Sequence, residues 1–417
     1  MSDLAVFLSG RRVGTLSQAA GVRFAYADEY LALPAPTPVS LSMPLREAPY
    51  GNRVARAWIE GLLPGDPRVR ARIAARGDVN PANPVAVLSV VGLDCAGAVQ
   101  VCPLDQTDQI AREETLLPVD ETWIAARLAR LRRDVAAWQI ADERWSIGGG
   151  QSKFTLTRTD DGRWCDPRGA AASTHIIKPG VQHAKHQALN EHVSLTALRR
   201  VGVPTAHTEY VEFDGEPAIV VERFDRTRQE GTVTRRHAED LCQALGNQTT
   251  YERDGGPTAR QILGLLGGRA GERSARRFVE ALITTYLLGS PDGHARNYSV
   301  LLDGDQAALA PLYDVASSLP YEIADHGVMT LRTIAIAIGG EHTFGLVGRA
   351  QWQRFFTGNS VDPDWGFDTI RTYARALPDA LNDTFAALDD LPAADELGPR
   401  YLDAVADSCA YALKSVR

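Results

Sequence analysis

Cysteine is scarce in this chain. Its five copies, Cys95, Cys102, Cys165, Cys242 and Cys409, are scattered, with no Cys-x-x-Cys pair. No disulfide framework is expected, and a reducing, cytoplasmic compartment fits. Histidine offers little more: His183, His186 and His192 lie close together, but a metal site needs further ligands in the right geometry, so they read as polar loop residues. No apolar run approaches the roughly 20 residues needed to span a bilayer. The start, MSDLAVFLSGRRVG, lacks a basic segment followed by a long apolar stretch, so no signal peptide is expected. Internal repeats and low-complexity tracts are missing too. Positive charge is in the minority, 44 Lys and Arg against 52 Asp and Glu, for a net charge of -8. An acidic chain is a poor non-specific binder of nucleic acid or anionic membrane, although a local basic patch stays open.

What is present is an ordinary globular composition, 44% apolar and 23% charged over 417 residues. That is enough for a full core and for two or three domains. Short strands are expected at Leu4–Leu8 and Gly14–Leu16 around the turn Ser9-Gly10-Arg11-Arg12. A helix near Val54–Leu63 should stop at Pro64-Gly65-Asp66-Pro67, and a strand should return at Gly97–Val101. Pro103–Glu114 reads as a linker. Further on, Glu121–Val135 and Leu189–Leu198 have helical spacing, while Thr174–Lys178 and Ala218–Phe224 read as strands. Phe278, Val279, Leu282, Ile283, Tyr286 and Leu287 mark an amphipathic helix stopped by Gly289. Ser299–Leu302 and Ala307–Leu312, around Asp303-Gly304, read as a β-hairpin. The sum is an α+β protein with a mixed lobe followed by a mostly helical lobe.

The chemistry is carried by an ordered set of motifs. Asp292-Gly293-His294-Ala295-Arg296-Asn297 places an Asp and an Asn five positions apart, the spacing of a kinase catalytic loop. After the hairpin comes Tyr313-Asp314, a second candidate metal carboxylate. Phosphoryl transfer needs hard oxygen ligands to hold Mg²⁺ against the triphosphate, and one carboxylate to orient the attacking hydroxyl. Upstream, Ser146-Ile147 leads into Gly148-Gly149-Gly150-Gln151-Ser152-Lys153, a glycine cluster ahead of a β-prone run. Glycines let backbone N–H groups approach phosphates; the cluster is not a Walker A loop. Lys178 ends a strand, where it could reach the α/β-phosphates, and Glu191 in the following helix could pair with it. Glu222-Arg223-Phe224 closes a strand at the place of a hinge that would read adenine. Each motif alone is weak. In kinase order, they favour an ATP-dependent kinase over a structural role.

The chain also resembles the HipA family, serine/threonine-kinase toxins of bacterial type II toxin–antitoxin pairs. The resemblance runs through Gly10–Gly14, Ser40–Pro44, Gly61–Pro64, Asp94–Gln100, Ser146–Lys153, His175–Lys178, Glu239–Gln243, Asp292–Asn297 and Leu312–Asp314. It implies a two-lobed protein-kinase-like fold with an extra N-terminal α/β subdomain, divided as 1–105, 106–225 for the glycine loop and hinge, and 226–417 for the helical lobe. It implies ATP bound by Gly148, Gly149, Gly150, Gln151, Ser152, Lys153, Lys178, Glu222, Arg223, Phe224, His294, Asn297, Tyr313 and Asp314. Asp292 would be the base, Asn297 and Asp314 the Mg²⁺ ligands, and Ser146 an autophosphorylation site whose modification displaces the glycine loop. A phosphoserine, at about -1.5 to -2 charge, would repel nucleotide there. The implied partners are a HipB-like helix-turn-helix antitoxin, through which alone DNA is met, and a target such as glutamyl-tRNA synthetase, whose loss arrests growth and favours persistence. Three departures stand out. The loop is richer in glycine than the family pattern, which suggests mobility; Ser152 replaces a frequent acidic residue and becomes a second candidate phosphosite; and Arg296 replaces a lysine. The rival functions are a small-molecule kinase and a silent nucleotide-binding co-repressor.

Overall fold

The computed structural model describes residues 3–18, 20–112, 115–140, 142–181, 184–229, 231–321 and 332–417; His183 lies outside them. The chain divides into two units, one made of residues 1–179, 211–248 and 299–308, the other of 180–210, 249–298 and 309–417.

The first unit opens with β1 (Leu4–Leu8), β2 (Arg11–Gln18) and β3 (Val22–Tyr26), a meander. Leu8 pairs with Arg11, so the first turn is only Ser9-Gly10, two residues shorter than the sequence suggested. Both residues have positive φ, as a tight hairpin needs. After β4 (Asp94–Cys95), β5 (Val99–Pro103) returns antiparallel to β1 and completes the order β3-β2-β1-β5. Every residue of β1 is buried, as suits a central strand. Helices at Asn52–Leu62, Pro67–Arg76 and Pro84–Val91 belong to the same core, which joins Leu16, Phe24, Trp58, Val87 and Leu88. Asp66 and Asn83 cap the second and third of these helices, each followed by a proline at the first turn. Burying each such large apolar side chain is worth about 1.5–3 kcal/mol. The expected linker instead holds a 3₁₀ stretch at Leu104–Ile110.

A second sheet follows: β6 (Thr115–Pro118), then, past the separate β7 (Trp145–Ser146), β8 (Phe154–Arg158), β9 (Trp164–Arg168), β10 (His175–Lys178), β11 (Thr208–Phe213) and β12 (Glu216–Glu222). Its order is β11-β12-β10-β8-β9-β6, with residues 211–213 of β11 in this unit. The β-branched run of β10 lies between β8 and β12, with His175 opposite Glu222 and Lys178 opposite Ile219. β7 pairs in parallel with β4, Asp94 to Trp145 and Cys95 to Ser146. Next, β13 (Arg226–Gln229) and β14 (Thr232–Arg235) make a hairpin, and β15 (His237–Asp240), β16 (Ser299–Asp303) and β17 (Gln306–Leu309) form a small sheet. The β16–β17 turn is Gly304-Asp305, one residue later than expected, with Gly304 taking the positive φ. All five cysteines are buried and free.

Two stretches quoted above for their family likeness meet in this unit. The Leu41 N–H donates to Glu239 at 2.7 Å, His237 Nε2 lies 3.0 Å from the Val39 carbonyl, and Ser42 Oγ donates to the Gln243 carbonyl at 2.7 Å. Glu239 is 2% exposed, and its second oxygen has no hydrogen-bond partner. Burial pushes its pKa up to about 8, against the pull of the Leu41 and Ser40 hydrogen bonds. The folded chain therefore holds a proton that the unfolded chain releases near its ordinary value of 4.5. Stability from this group is greatest below that value, falls as pH rises toward 8, and is level above it. The slope is at most about 1.4 kcal/mol per pH unit. Glu239→Gln should flatten the decline, checked by urea midpoints at pH 5, 7 and 8.5. Equal slopes in both proteins would remove Glu239 as the cause.

The second unit is mostly helical: Gln187–Arg200, Ala259–Arg269, Gly271–Leu287, Arg349–Gly358, Pro363–Ala386 and Pro392–Ser415, with the small hairpin β18 (Thr333–Ile338) and β19 (Glu341–Thr343). The helix Gly271–Leu287 buries the six apolar residues expected of it. It ends as the sequence implied. The Gly289 N–H returns to the Tyr286 carbonyl and the Ser290 N–H to the Thr285 carbonyl, which delivers the chain into Asp292–Asn297. Among the described residues no helix is long and apolar enough to cross a membrane.

Candidate active site

In the first unit the glycine loop is packed, not loose. Ser146 is fully buried, and its Oγ donates to the Leu62 carbonyl at 2.7 Å. The Gly65 N–H donates to the Gly149 carbonyl at 2.8 Å. A Cβ on Gly148 would come within 2.6 Å of the Gly61 carbonyl oxygen, so only glycine fits there. Lys153, 5% exposed, donates to the Gly148 carbonyl at 2.8 Å and lies over the Trp138 ring. Ser152 Oγ donates to the Val135 carbonyl at 2.9 Å and is half-buried. The mobility suggested by three glycines is thus countered by contacts from Gly61 to Gly65. Gly150 alone is exposed with open space around it, and Gln151 is half-buried.

Lys178 is buried at the end of β10. At the end of β12, Glu222 is exposed and Phe224 half-buried, but Arg223 is 4% exposed and engaged. Its guanidinium pairs with Asp225 at 2.8 Å and Asp94 at 3.3 Å, and donates to the Cys95 carbonyl at 2.8 Å. Arg226 and Arg235 also reach Asp94, at 2.8 and 3.0 Å. The Arg223 N–H donates to the Thr174 carbonyl, so neither its side chain nor its amide is open to adenine. Burial opposes ionisation of Asp94, and the Arg226, Arg223 and Arg235 charges overcome it, holding the carboxyl far below the usual range.

The second unit brings the Asp-x4-Asn groups together. The Asn297 amide donates to the Asp292 carbonyl at 2.6 Å, and the His294 N–H to the same oxygen at 2.8 Å, so the loop is locked on its first residue. His294 Nε2 lies 3.6 Å from Asp292 Oδ1. Tyr313 donates to the Arg296 carbonyl at 2.8 Å, tying the Asp314 segment to the loop. Asp314 takes a positive φ, which Asp tolerates better than most residues. Asp292 keeps a solvent face, with its side chain 55% exposed, while protein atoms crowd its other side. That partial desolvation raises its pKa; His294, Tyr251 and Asn297 pull it down, and the Asp314 carboxylate pushes it up. Asn297 and Asp314 would hold Mg²⁺, with the nucleotide's oxygens completing the shell, as Mg²⁺ prefers. Among the described residues no group of three or more His, Cys, Asp or Glu side chains could hold a metal by itself. His186 instead meets Glu396, and His192 meets Thr208. Glu191 is buried in the helix Gln187–Arg200 of this unit, and Lys178 belongs to the other.

Sequence reasoning missed Tyr251, whose hydroxyl donates to Asp292 Oδ1. Its only sequence signal is the turn-forming run Asp254-Gly255-Gly256-Pro257 just after it. Residues 145–383 match the HipA-like C-terminal domain, and residues 4–102 match the HipA N-terminal domain.

The chain belongs to the HipA family.

Y4mE of Sinorhizobium fredii is 32% identical over 99% of this chain and 98% of its own length. The serine/threonine-protein kinase toxin HipA of Shewanella oneidensis is 26% identical over 85% of this chain and 82% of its own. The structure of HipA from that organism, solved with HipB and its operator DNA, superposes with a TM-score of 0.84 at 24% identity, covering 99% of this chain and 98% of that one. The α+β architecture read from the pattern of elements, and the kinase-like fold that the resemblance implies, are the fold of this HipA relative.

Proposed function

We propose that this HipA-family chain is an ATP-dependent serine/threonine protein kinase. The observation that carries the reading is the Asp292–Asn297 loop, closed on the Asp292 carbonyl and tied to the Asp314 segment by the Tyr313 hydrogen bond. In this reading Asp292 orients an acceptor hydroxyl and takes its proton. Asn297 and Asp314 would hold Mg²⁺, which would supply positive charge against the phosphates. Lys178 and Lys153 supply cations from strand and loop, Gly148–Ser152 cover the phosphates, and His294 and Tyr313 brace the catalytic loop. Glu222 to Phe224 form the hinge, with Arg223 serving to hold it in place. The segments 1–105, 106–225 and 226–417 are its first subdomain, nucleotide lobe and helical lobe. It works in the cytoplasm.

HipA of Shewanella oneidensis supports this reading by name: it is called a serine/threonine-protein kinase toxin, and HipA of that organism was solved with HipB and operator DNA. The HipB in that solved complex supports a HipB-like antitoxin as partner; the target we propose, an aminoacyl-tRNA synthetase such as the glutamyl enzyme, rests on the family resemblance alone. The autophosphorylation site is Ser146, and its burial sets a condition: the β4–β7 pairing must open before its hydroxyl can react. Incubation with Mg²⁺ and labelled ATP, followed by phosphosite mapping, should place label on Ser146 slowly and substoichiometrically, and should label a target faster. Nucleotide binding with no label anywhere, after removal of any phosphate already present, would replace this reading with that of a silent co-repressor. The self-occupied loop, Lys153 on Gly148, is the feature that favours that alternative.

A further inference from the structure

Tyr251 is built into the second unit with unusual support. The turn that carries it is closed by N–H groups of Asp254 and Gly256, both donating to the Tyr251 carbonyl. Gly255 has φ +94, and a Cβ on Gly256 would lie 2.7 Å from that same carbonyl oxygen. The two glycines are what let the turn close this tightly. The next residue, Glu252, accepts from the Ala337 N–H at 2.7 Å, anchoring the turn to β18. The Tyr251 ring meets the His294 ring edge-on, with centroids 4.9 Å apart, and the Arg253 guanidinium lies over the Tyr251 ring, 5.3 Å from its centroid. Burial and the adjacent Asp292 carboxylate keep the phenol protonated, so it acts as donor.

We propose that Tyr251 is a positioning residue for phosphoryl transfer: its hydroxyl fixes Asp292 through Oδ1, so that the second carboxylate oxygen takes the proton of the acceptor hydroxyl. The inference rests on Asp292 being the base. An aspartate carboxylate, carried on two rotatable bonds, has several rotamers, and holding one of its oxygens removes most of them. Misplacement of a reacting group by about 1 Å can cost on the order of 10²-fold in rate.

The test is a cycle of Tyr251→Phe, Asp292→Asn and the double variant, measured on the full chain by single-turnover transfer from labelled ATP to itself and to a generic serine acceptor protein. Tyr251→Phe should lower the transfer rate at saturating ATP about tenfold or more, with KM for ATP within about twofold and an unchanged melting midpoint. The double variant should be no slower than Asp292→Asn alone, because Tyr251 acts only through that carboxylate. A wild-type or faster rate in Tyr251→Phe, or effects that multiply in the double variant, would overturn the proposal. Full activity in Asp292→Asn would instead sink the assignment of the base, on which the proposal stands. Loss of the melting midpoint in Tyr251→Phe would make the tyrosine a structural support and overturn its positioning role.

Discussion

Asp292→Asn should reduce phosphoryl transfer by about 10²–10⁴-fold, the share a positioned general base supplies. Nucleotide affinity in Mg²⁺ should stay within about twofold or rise, because the change removes one of two mutually repelling carboxylates. The substitution is well suited to the question. It keeps the shape of the side chain and leaves the backbone carbonyl, which accepts from Asn297 and His294, in place. Equilibrium binding of a fluorescent nucleotide, beside a labelled-ATP transfer assay, reads both parts. A variant that transfers at the wild-type rate would show that Asp292 does not take the proton. A variant that loses transfer and nucleotide together would show that it serves binding.

Asp94→Ala should destabilise the first unit by roughly 3–5 kcal/mol, the cost of removing one partner from a buried ion pair. Asp94 is 2% exposed and receives Arg223, Arg226 and Arg235, along with the amide and hydroxyl of Ser173. Without it, Asp225 is the one carboxylate left to the buried Arg223 and Arg226 in this cluster. The change should appear as a lower urea midpoint with the slope unchanged. Because its carboxyl is held so far below the usual range, Asp94 contributes fully above the ordinary carboxylate pKa, and the contribution declines progressively as pH falls from there through its depressed value. A midpoint within experimental error of wild type would mean that water or a rearranged Asp225 replaces it.

The Asp292–Asn297 turn was legible because its pattern is local. Asp292 and Asn297 are five residues apart, and a single turn decides their geometry. The helix before it was equally plain, since six apolar residues at helical spacing and a following glycine leave little choice. Arg223 was harder. Its neighbours in sequence suggest a hinge, but its fate is set by Asp94, 129 positions away. The glycine loop failed in the opposite sense. Three glycines suggest freedom, whereas the backbone carbonyls of Gly61 and Leu62 take up the space and the hydrogen bonds. Tyr251 could not be found at all, because a lone tyrosine 41 positions before Asp292 carries no pattern. Long-range partners of this kind are invisible to periodicity and spacing.

The first unit is not one stretch of chain but three, and its last piece, β16, pairs with β15 across 58 intervening residues, 241–298. During synthesis, β15 leaves the ribosome long before the strand that covers its edge. At about 5–20 residues per second the delay is several seconds. Neither unit can be completed until residue 308 has emerged, since the second also waits for its three C-terminal helices. Nascent chains therefore carry an open strand edge and an unfinished second unit together. The ordering means that neither unit is whole until most of the polypeptide has been made, and it exposes a stretch that a chaperone would need to guard in the meantime.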